Sequence, residues 1–568
     1  MSIFSNQVEG LSLQLKAIAN LDTLLSTDKF AHTDAEMVDM MFDQSARFAE
    51  EKLAPLAASG DIDGCKLENG RVKLPAGTPE AYQEWCELGY PLLGLPLEQE
   101  GMDFPLTVQS AVQEILDGAN MAFGMLGINL RCAIKALIAN APEELVAQWL
   151  PGLVSGEIAS SIVISEPQAG SDVGRIRTQA TPTGDDQWTL TGSKIWISYG
   201  DHDATEQIVH LVLARVPSEE IGTRGLGLFA IPAQLDDGSR NGVQVSRLEH
   251  KMGLHASPTC VLELDKARAW LIGEAGRGLR AMFVMMNGMR LAVGVQGAAV
   301  ANMATLQALD YARERPQGGR PDAPAKMISE HADVKRMLLE MTANSEMIRA
   351  LYMKTASFLD LAESGSEPEA TLHLKLAELL LPVSKTIGAE LGFQVANQGI
   401  QVLGGYGYTN DYPLERMARD IRVASIYEGT SGIQALDFTL RKVLADNGAT
   451  LNALIQMIHD DLLACSDSNP LKTGLLAAVR SLEATLGSLL QRGQQDTGSI
   501  EPGAYHFLQL NGLVTMHWLG MLLYQAAGEN SEYQQRLRSA LAQAATGLEE
   551  RAAALAKRAL QPGTDIEL

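Results

Sequence analysis

Between residues 160 and 264 the chain contains SSIVIS (160–165), QWTLTGSKIWIS (187–198), IVHLVLAR (208–215), LGLFAI (226–231) and TCVLEL (259–264). These runs are short and rich in β-branched residues. Turns containing Gly, Asp and Pro bound them, and together these features are strand chemistry. No helix-period run separates one from the next. A parallel sheet built from strand–helix–strand units is therefore excluded, and an antiparallel barrel or sandwich is predicted.

On either side the period changes to that of a helix. Ahead of the strands, Ala35–Leu53, Thr107–Leu126 and Pro142–Leu150 read as helices, and Ala57–Pro79, broken by Gly and Pro, reads as a loop. Behind them, Leu279–Glu314, His331–Ala362 and Glu369–Gln398 are long helices by pattern. A Gly-rich break at Leu403–Tyr408 follows, then Arg416–Glu428 and a helix over Ile433–Ala445. Beyond Asn447-Gly448 the apolar runs Leu471–Gln491, His506–Ala527 and Arg536–Leu560 predict further helices. The predicted fold is α+β and multidomain. A helical domain spans 1–157, a β-domain 158–276, a bundle-like helical domain 277–447 and an added helical domain 448–568.

Composition narrows the function. The 568 residues carry 45 basic and 69 acidic side chains, a net charge of -24, which argues against binding nucleic acid. Five scattered cysteines without a CxxC pair argue against a disulfide framework and for a reducing, cytoplasmic setting. The N-terminus shows no secretory pattern, and no uninterrupted apolar stretch approaches about 18 residues, so no integral membrane contact is expected. GxGxxG, GK[ST], HExxH and GxSxG are all absent, and the ten His are dispersed, so no metal site is expected.

Two segments carry possible chemistry. Ser165–Asp172 (SEPQAGSD) ends a strand in a turn whose N–H groups and hydroxyls suit an anion or a polar ring edge, though taken alone it reads first as an ordinary turn. Ile426–Thr430 (IYEGT) puts Glu428 where a helical run meets a turn. Partial burial there would make it a general base, while the plain alternative is a solvated helix-end carboxylate. Thr430 and Ser431 suit the cap of the next helix.

Taken together, the motifs resemble those of the acyl-CoA dehydrogenase flavoproteins. Ser165–Asp172 resembles [ST]EPxAGSD, Gly192–Ser198 GxKxWI[ST], Gln401–Tyr408 QxxGGxGx and Ile426–Thr430 IYEGT; Ala308–Arg315 is similar to the helix ending in a flavin-contacting Arg. The resemblance runs from about residue 35 to 445. Lys251–Val261, Met285–Gly297 and the C-terminal extension are similar to the long subgroup containing 3-methylmercaptopropionyl-CoA and bacterial fatty acyl-CoA dehydrogenases.

The resemblance implies an FAD-dependent dehydrogenation of an acyl-CoA to a trans-2-enoyl-CoA, with electron-transfer flavoprotein as acceptor. It places the flavin ring between the β-domain and the C-terminal helices. Ile164 and Ser165 would meet the pyrimidine edge, Trp196 would cover the ring and Ser198 would reach N5. Gly170 and Ser171 would lie by the pyrophosphate or the thioester arm. Arg315, Gln401, Gly404 and Gly405 would meet the adenosine diphosphate of a neighbouring subunit's FAD, and Thr430 its adenosine end. Tyr427, Glu428 and Gly429 would contact substrate. Glu428 would remove the α-proton while the β-hydrogen leaves as hydride, and its N–H would polarise the thioester oxygen. Some relatives carry the base on the first helix after the β-domain, but Met285–Gly297 has no Asp or Glu.

Three positions depart from the pattern: Cys260 stands for a CoA-holding Arg, Gly432 for a Glu or Gln, and Gly318 for a Phe. Arg247 and Lys251 are candidates to replace the missing Arg. Competing readings are an oxidase or monooxygenase of the same family, and a DNA-associated relative resembling the bacterial adaptive-response flavoprotein. Glu428 speaks against the first and the net charge against the second. The extension implies a homodimer. Gly118, Ala119, Ala122, Gly124 and Gly127 leave room either for an acyl chain or for close helix packing.

Overall fold

The computed structural model describes residues 3–184 and 187–562. Two compact units are built from interleaved segments. One takes the described residues up to Arg47, Pro105–Gly118 and those from Arg290 onward; the other takes Phe48–Phe104 and Ala119–Met289.

Ahead of the large sheet come α1 (Ile3–Ala17), α2 (Leu21–Leu25), α3 (Ala35–Phe48), α4 (Ala54–Asp63), α5 (Thr78–Glu87), α6 (Leu106–Asn140) and α7 (Glu143–Ser155). The stretch expected to be a loop is more ordered than that. Helix α4 runs to Asp63, and β1 (Lys66–Glu68) and β2 (Arg71–Lys73) form a hairpin. Asn69-Gly70 turns it, both residues with positive φ, which the mirror-image hairpin turn demands. Asp201 receives the Val72 N–H at 2.8 Å and fixes the hairpin to the β-domain.

The β-domain contains β3 (Ile158–Val163), β4 (Gln179–Gly184), β5 (Gln187–Ser198), β6 (Gln207–Arg215), β7 (Leu226–Pro232), β8 (Val243–Leu248) and β9 (Thr259–Ile272). Its ring runs β6-β7-β9-β5-β4 and closes where Gln179 pairs with Arg215. The barrel expectation holds, with one correction: the sheet is mixed. Strands β3 and β6 are parallel, as is the closing pair. The β4–β5 hairpin lies between β3 and β6 in sequence and returns the chain in its original direction. Two strands escaped the sequence reading. Strand β4 (QATPTG) is mostly exposed and β8 is a one-sided edge, so neither shows an apolar run. Val163, Leu190, Phe229 and Leu262 fill the interior.

After the sheet come α8 (Gly278–Glu314), α9 (Ala332–Ser364), α10 (Glu369–Leu403), α11 (Leu414–Ile421) and α12 (Ser431–Leu436). The extension adds α13 (Ala449–Ala464), α14 (Lys472–Gly493), α15 (Ala504–Ala526), α16 (Glu532–Ala544) and α17 (Leu548–Ala559). The last two were expected as one helix; the chain breaks at Gly547, whose φ is 68°. Helices α6 and α8 are long and apolar enough to cross a membrane, but 78% and 72% of their most apolar windows are buried in the fold. Helix α6 is interrupted at Asn120 (φ −155°, ψ 90°), whose Oδ1 accepts the Phe123 N–H at 3.1 Å and restarts the helix.

Candidate active site

In the β-domain, Ser165 lies two residues past the end of β3, and the turn after it is set by a buried ion pair. Lys194 Nζ lies 2.9 Å from Glu166 Oε1 and donates to the carbonyls of Ile164 at 2.8 Å and Leu213 at 2.7 Å. Glu166 also accepts the N–H groups of Arg177 at 2.7 Å and Thr178 at 3.0 Å. Burial alone would raise this carboxyl, but Lys194 and the donors around it outweigh burial and hold it well below the ordinary range. The clamp leaves Gly170 and Ser171 exposed at the tip, with no atom near the place of a Cβ on Gly170.

Strict alternation along β5 would put Lys194, Trp196 and Ser198 on one face. A bulge between Lys194 and Ile197 breaks it. Trp196 adopts φ 63°, the residue is 58% exposed, and Ile197 turns into the core. The result is a bare aromatic face on a rigid strand beside the Ser165 turn, because the Ile195 N–H donates to the Ser165 carbonyl at 2.9 Å. Ser198 pairs with Thr259, and its carbonyl accepts from Asn129 Nδ2 at 3.2 Å.

In the helical unit, Ile426–Thr430 links a short 3-10 turn (Arg422–Ser425) to α12. Glu428 is half-buried with φ 54°. Two side chains fix this strained backbone. Gln434 Nε2 donates to the Glu428 carbonyl at 2.8 Å, and Lys385 Nζ donates to the Gly429 carbonyl at 2.7 Å. Tyr427 Oη donates to Gln296 Oε1 on α8. Burial pushes the Glu428 carboxyl up from its ordinary value, against the opposing pull of Lys385 and Arg290. Burial likewise brings Lys385 down to about 8, partly countered by Glu428 and Glu390. Arg290 is itself held by Asp437 at 2.8 Å. Thr430 caps α12, its hydroxyl accepting the Ile433 N–H at 3.3 Å.

A cleft of about 440 Å³ in the same unit is lined by Tyr311, Arg315, Gly404, Gly405 and Tyr406. The Arg315 guanidinium sits 5.3 Å over the Tyr406 ring. Gly404 (φ 62°) and Gly405 meet nothing where a Cβ would stand, so bare backbone faces the cleft. Gln401 is exposed just before them, and its carbonyl accepts the Gly404 N–H.

The sequence matches the family described as acyl-CoA dehydrogenase in three consecutive parts: the N-terminal domain over residues 35–157, the middle domain over 161–267 and the C-terminal domain over 276–441. The chain belongs to the acyl-CoA dehydrogenase family. It is 40% identical over 505 residues to the 3-methylmercaptopropionyl-CoA dehydrogenase of Ruegeria pomeroyi, covering 86% of this chain and 85% of that protein. The fold matches the Bacillus anthracis acyl-CoA dehydrogenase complexed with FAD at a TM-score of 0.76 and 22% identity, covering 94% and 89% of the two chains. A chain from the study of the electron transferring flavoprotein of Acidaminococcus fermentans matches at a TM-score of 0.60 and 24% identity, covering 72% of this chain and 97% of that one.

Membership makes this acyl-CoA dehydrogenase an oxidoreductase with FAD as cofactor. Its residues suit that group. The cleft joins a guanidinium to bare peptide backbone, a chemistry for phosphates, and Trp196 offers an aromatic face to a planar ring. Sequence reasoning missed the supports: Glu166, Lys194, Lys385, Arg290 and Gln434. Lys194 and Glu166 lay inside the quoted motifs, but their pairing is visible only once β5 is in place.

The departures have structural counterparts. Cys260 is buried in the barrel, and burial pushes its thiol up to about 12, so it offers nothing to CoA. Arg247 bonds Glu249 at 2.9 Å, and Lys251 donates to the Ser257 carbonyl at 2.9 Å. Gly318 has φ 81°, which strains any side chain there, and a Cβ would stand 3.1 Å from the His331 ring. Gly127 is a close-packing position, where a Cβ would stand 3.0 Å from Trp85; at Gly118 a Cβ would make only ordinary contact, 3.5 Å from the Ala299 carbonyl.

Proposed function

We propose that Glu428 is the base of the dehydrogenation, removing the α-proton of the acyl-CoA. The observation that carries this is the half-buried Glu428 on a backbone clamped by Gln434 and Lys385, with Lys385 and Arg290 as the charged neighbours of its carboxyl. Burial raises its proton affinity toward working pH, while the two cations keep an ionised fraction available. The Glu428 N–H polarises the thioester oxygen, which acidifies the α-carbon. FAD supplies the acceptor for the β-hydrogen, which leaves as hydride. Ile164, Ser165, Gly170, Ser171, Trp196 and Ser198 would hold the flavin; Arg315, Gln401, Gly404 and Gly405 would hold the adenosine diphosphate portion of a neighbouring subunit's FAD, with Thr430 at its adenosine end. Tyr427 and Gly429 line the substrate.

An electron-transfer flavoprotein is the proposed electron acceptor, which the likeness to the Acidaminococcus fermentans chain supports. A homodimer in the cytoplasm is the proposed working form. The name of the Ruegeria pomeroyi relative makes short linear acyl groups, 3-methylmercaptopropionyl among them, the first candidates.

The test is anaerobic titration of the FAD-loaded protein with a series of acyl-CoAs while flavin absorbance is followed. The most effective acyl chain names the substrate class. Glu428→Gln is expected to bind FAD and acyl-CoA normally and to bleach about 10²–10⁴ times more slowly. Bleaching at the parent rate would remove Glu428 from the role.

A further inference from the structure

We infer that Glu390 is a positioning residue through which α15 of the C-terminal extension holds the loop carrying Glu428; the inference rests on the reading of Glu428 as the base. The two oxygens of the Glu390 carboxylate serve different elements. Oε1 accepts from Ser431 Oγ, the first residue of α12, at 2.7 Å. Oε2 accepts from Tyr505 Oη at 2.7 Å and Gln509 Nε2 at 2.8 Å, both on α15. Gln509 also donates to Tyr505 Oη at 3.1 Å, so the two donors keep each other in place. A carboxylate is planar and rigid. Fixing one oxygen from α15 therefore fixes where the other can receive Ser431, and charge-assisted bonds of this kind are the stronger ones.

Ser431 lies two residues beyond Gly429, whose carbonyl Lys385 holds from the same helix as Glu390. Helix α10 thus grips the exit of the loop at two points, and α15 steadies one of them. The extension comes close enough for this because Gly512 faces α10, where a Cβ would stand 2.7 Å from Ile387. Burial and the neighbouring carboxylate push the Tyr505 hydroxyl up, so it remains a donor throughout the working range. Among the described residues the extension places no acid or base at Glu428; its contribution is to hold the base still.

The experiment uses the full-length, FAD-loaded enzyme and a saturating acyl-CoA. Tyr505→Phe/Gln509→Leu cuts the relay at α15, and Ser431→Ala cuts it at the loop. The readouts are the anaerobic bleaching rate constant, the acyl-CoA Kd and the FAD content. Each cut is expected to slow bleaching about tenfold with Kd and FAD content unchanged, a displacement effect on chemistry alone. Combining the cuts is expected to cost no more than the larger one, because both sever a single relay. A parent-like rate in Tyr505→Phe/Gln509→Leu overturns the inference, as do fully additive losses in the combination. Should the combination fail to fold, Tyr505→Phe with and without Glu390→Gln makes the same comparison. Glu428→Gln run alongside separates the two failures. Parent-rate bleaching there overturns the base assignment itself. Slow bleaching there with a parent-like rate in the α15 variant overturns the relay alone.

Discussion

Glu428 and Trp196 both have positive φ, in a region that costs a non-glycine residue about 1–3 kcal/mol. Each is held there by its neighbours, Glu428 by Gln434 and Lys385, and Trp196 by a bulge anchored through the Ile195–Ser165 bond. At Glu428 this gives a pH prediction with a definite sign. The base works only when ionised, so turnover falls as pH drops through its raised pKa. Lys385 opposes that rise, and at about 8 its own value keeps it cationic across the acidic limb. Lys385→Met is therefore expected to move the acidic limb of kcat to higher pH, by about one unit. A pH–rate profile that stays in place or moves down would show that Lys385 does not act on Glu428.

Helices α8 and α10 bring Arg290, Gln296, Lys385 and Glu390 into one neighbourhood by crossing at backbone contact. A Cβ on Gly297 would stand 2.1 Å from the Gly388 carbonyl oxygen, and one on Gly392 2.8 Å from the Gly297 carbonyl. Gly297→Ala is expected to force the helices apart and to lower stability by about 1–3 kcal/mol, read as a fall in thermal midpoint. The crossing was hidden in the sequence: Met285–Gly297 showed its lack of acids, not that its glycines meet those of another helix. What was legible had local causes. The period change at residue 160 marked the barrel, and the motifs marked Glu428, Trp196 and the Gly404-Gly405 backbone. What was not legible depended on distant partners. Strand β4 lacks an apolar run, the hairpin at Asn69-Gly70 leans on Asp201, and the Glu166–Lys194 pair spans two motifs.

At the scale of the whole molecule, the proposed homodimer predicts a native mass near twice the 61.1 kDa of one chain. Light scattering on the FAD-loaded protein checks this, and a mass of four chains would refute it. The chain itself passes between its two compact units four times, at Arg47, Phe104, Gly118 and Met289. It follows that no single cut separates one unit from the other. A nick beside the exposed Ile221 yields two polypeptides, and each contributes segments to both units. Such fragments are complementary halves in the sense of a split reporter. Neither can complete a unit alone, so their reassembly would restore both units at once.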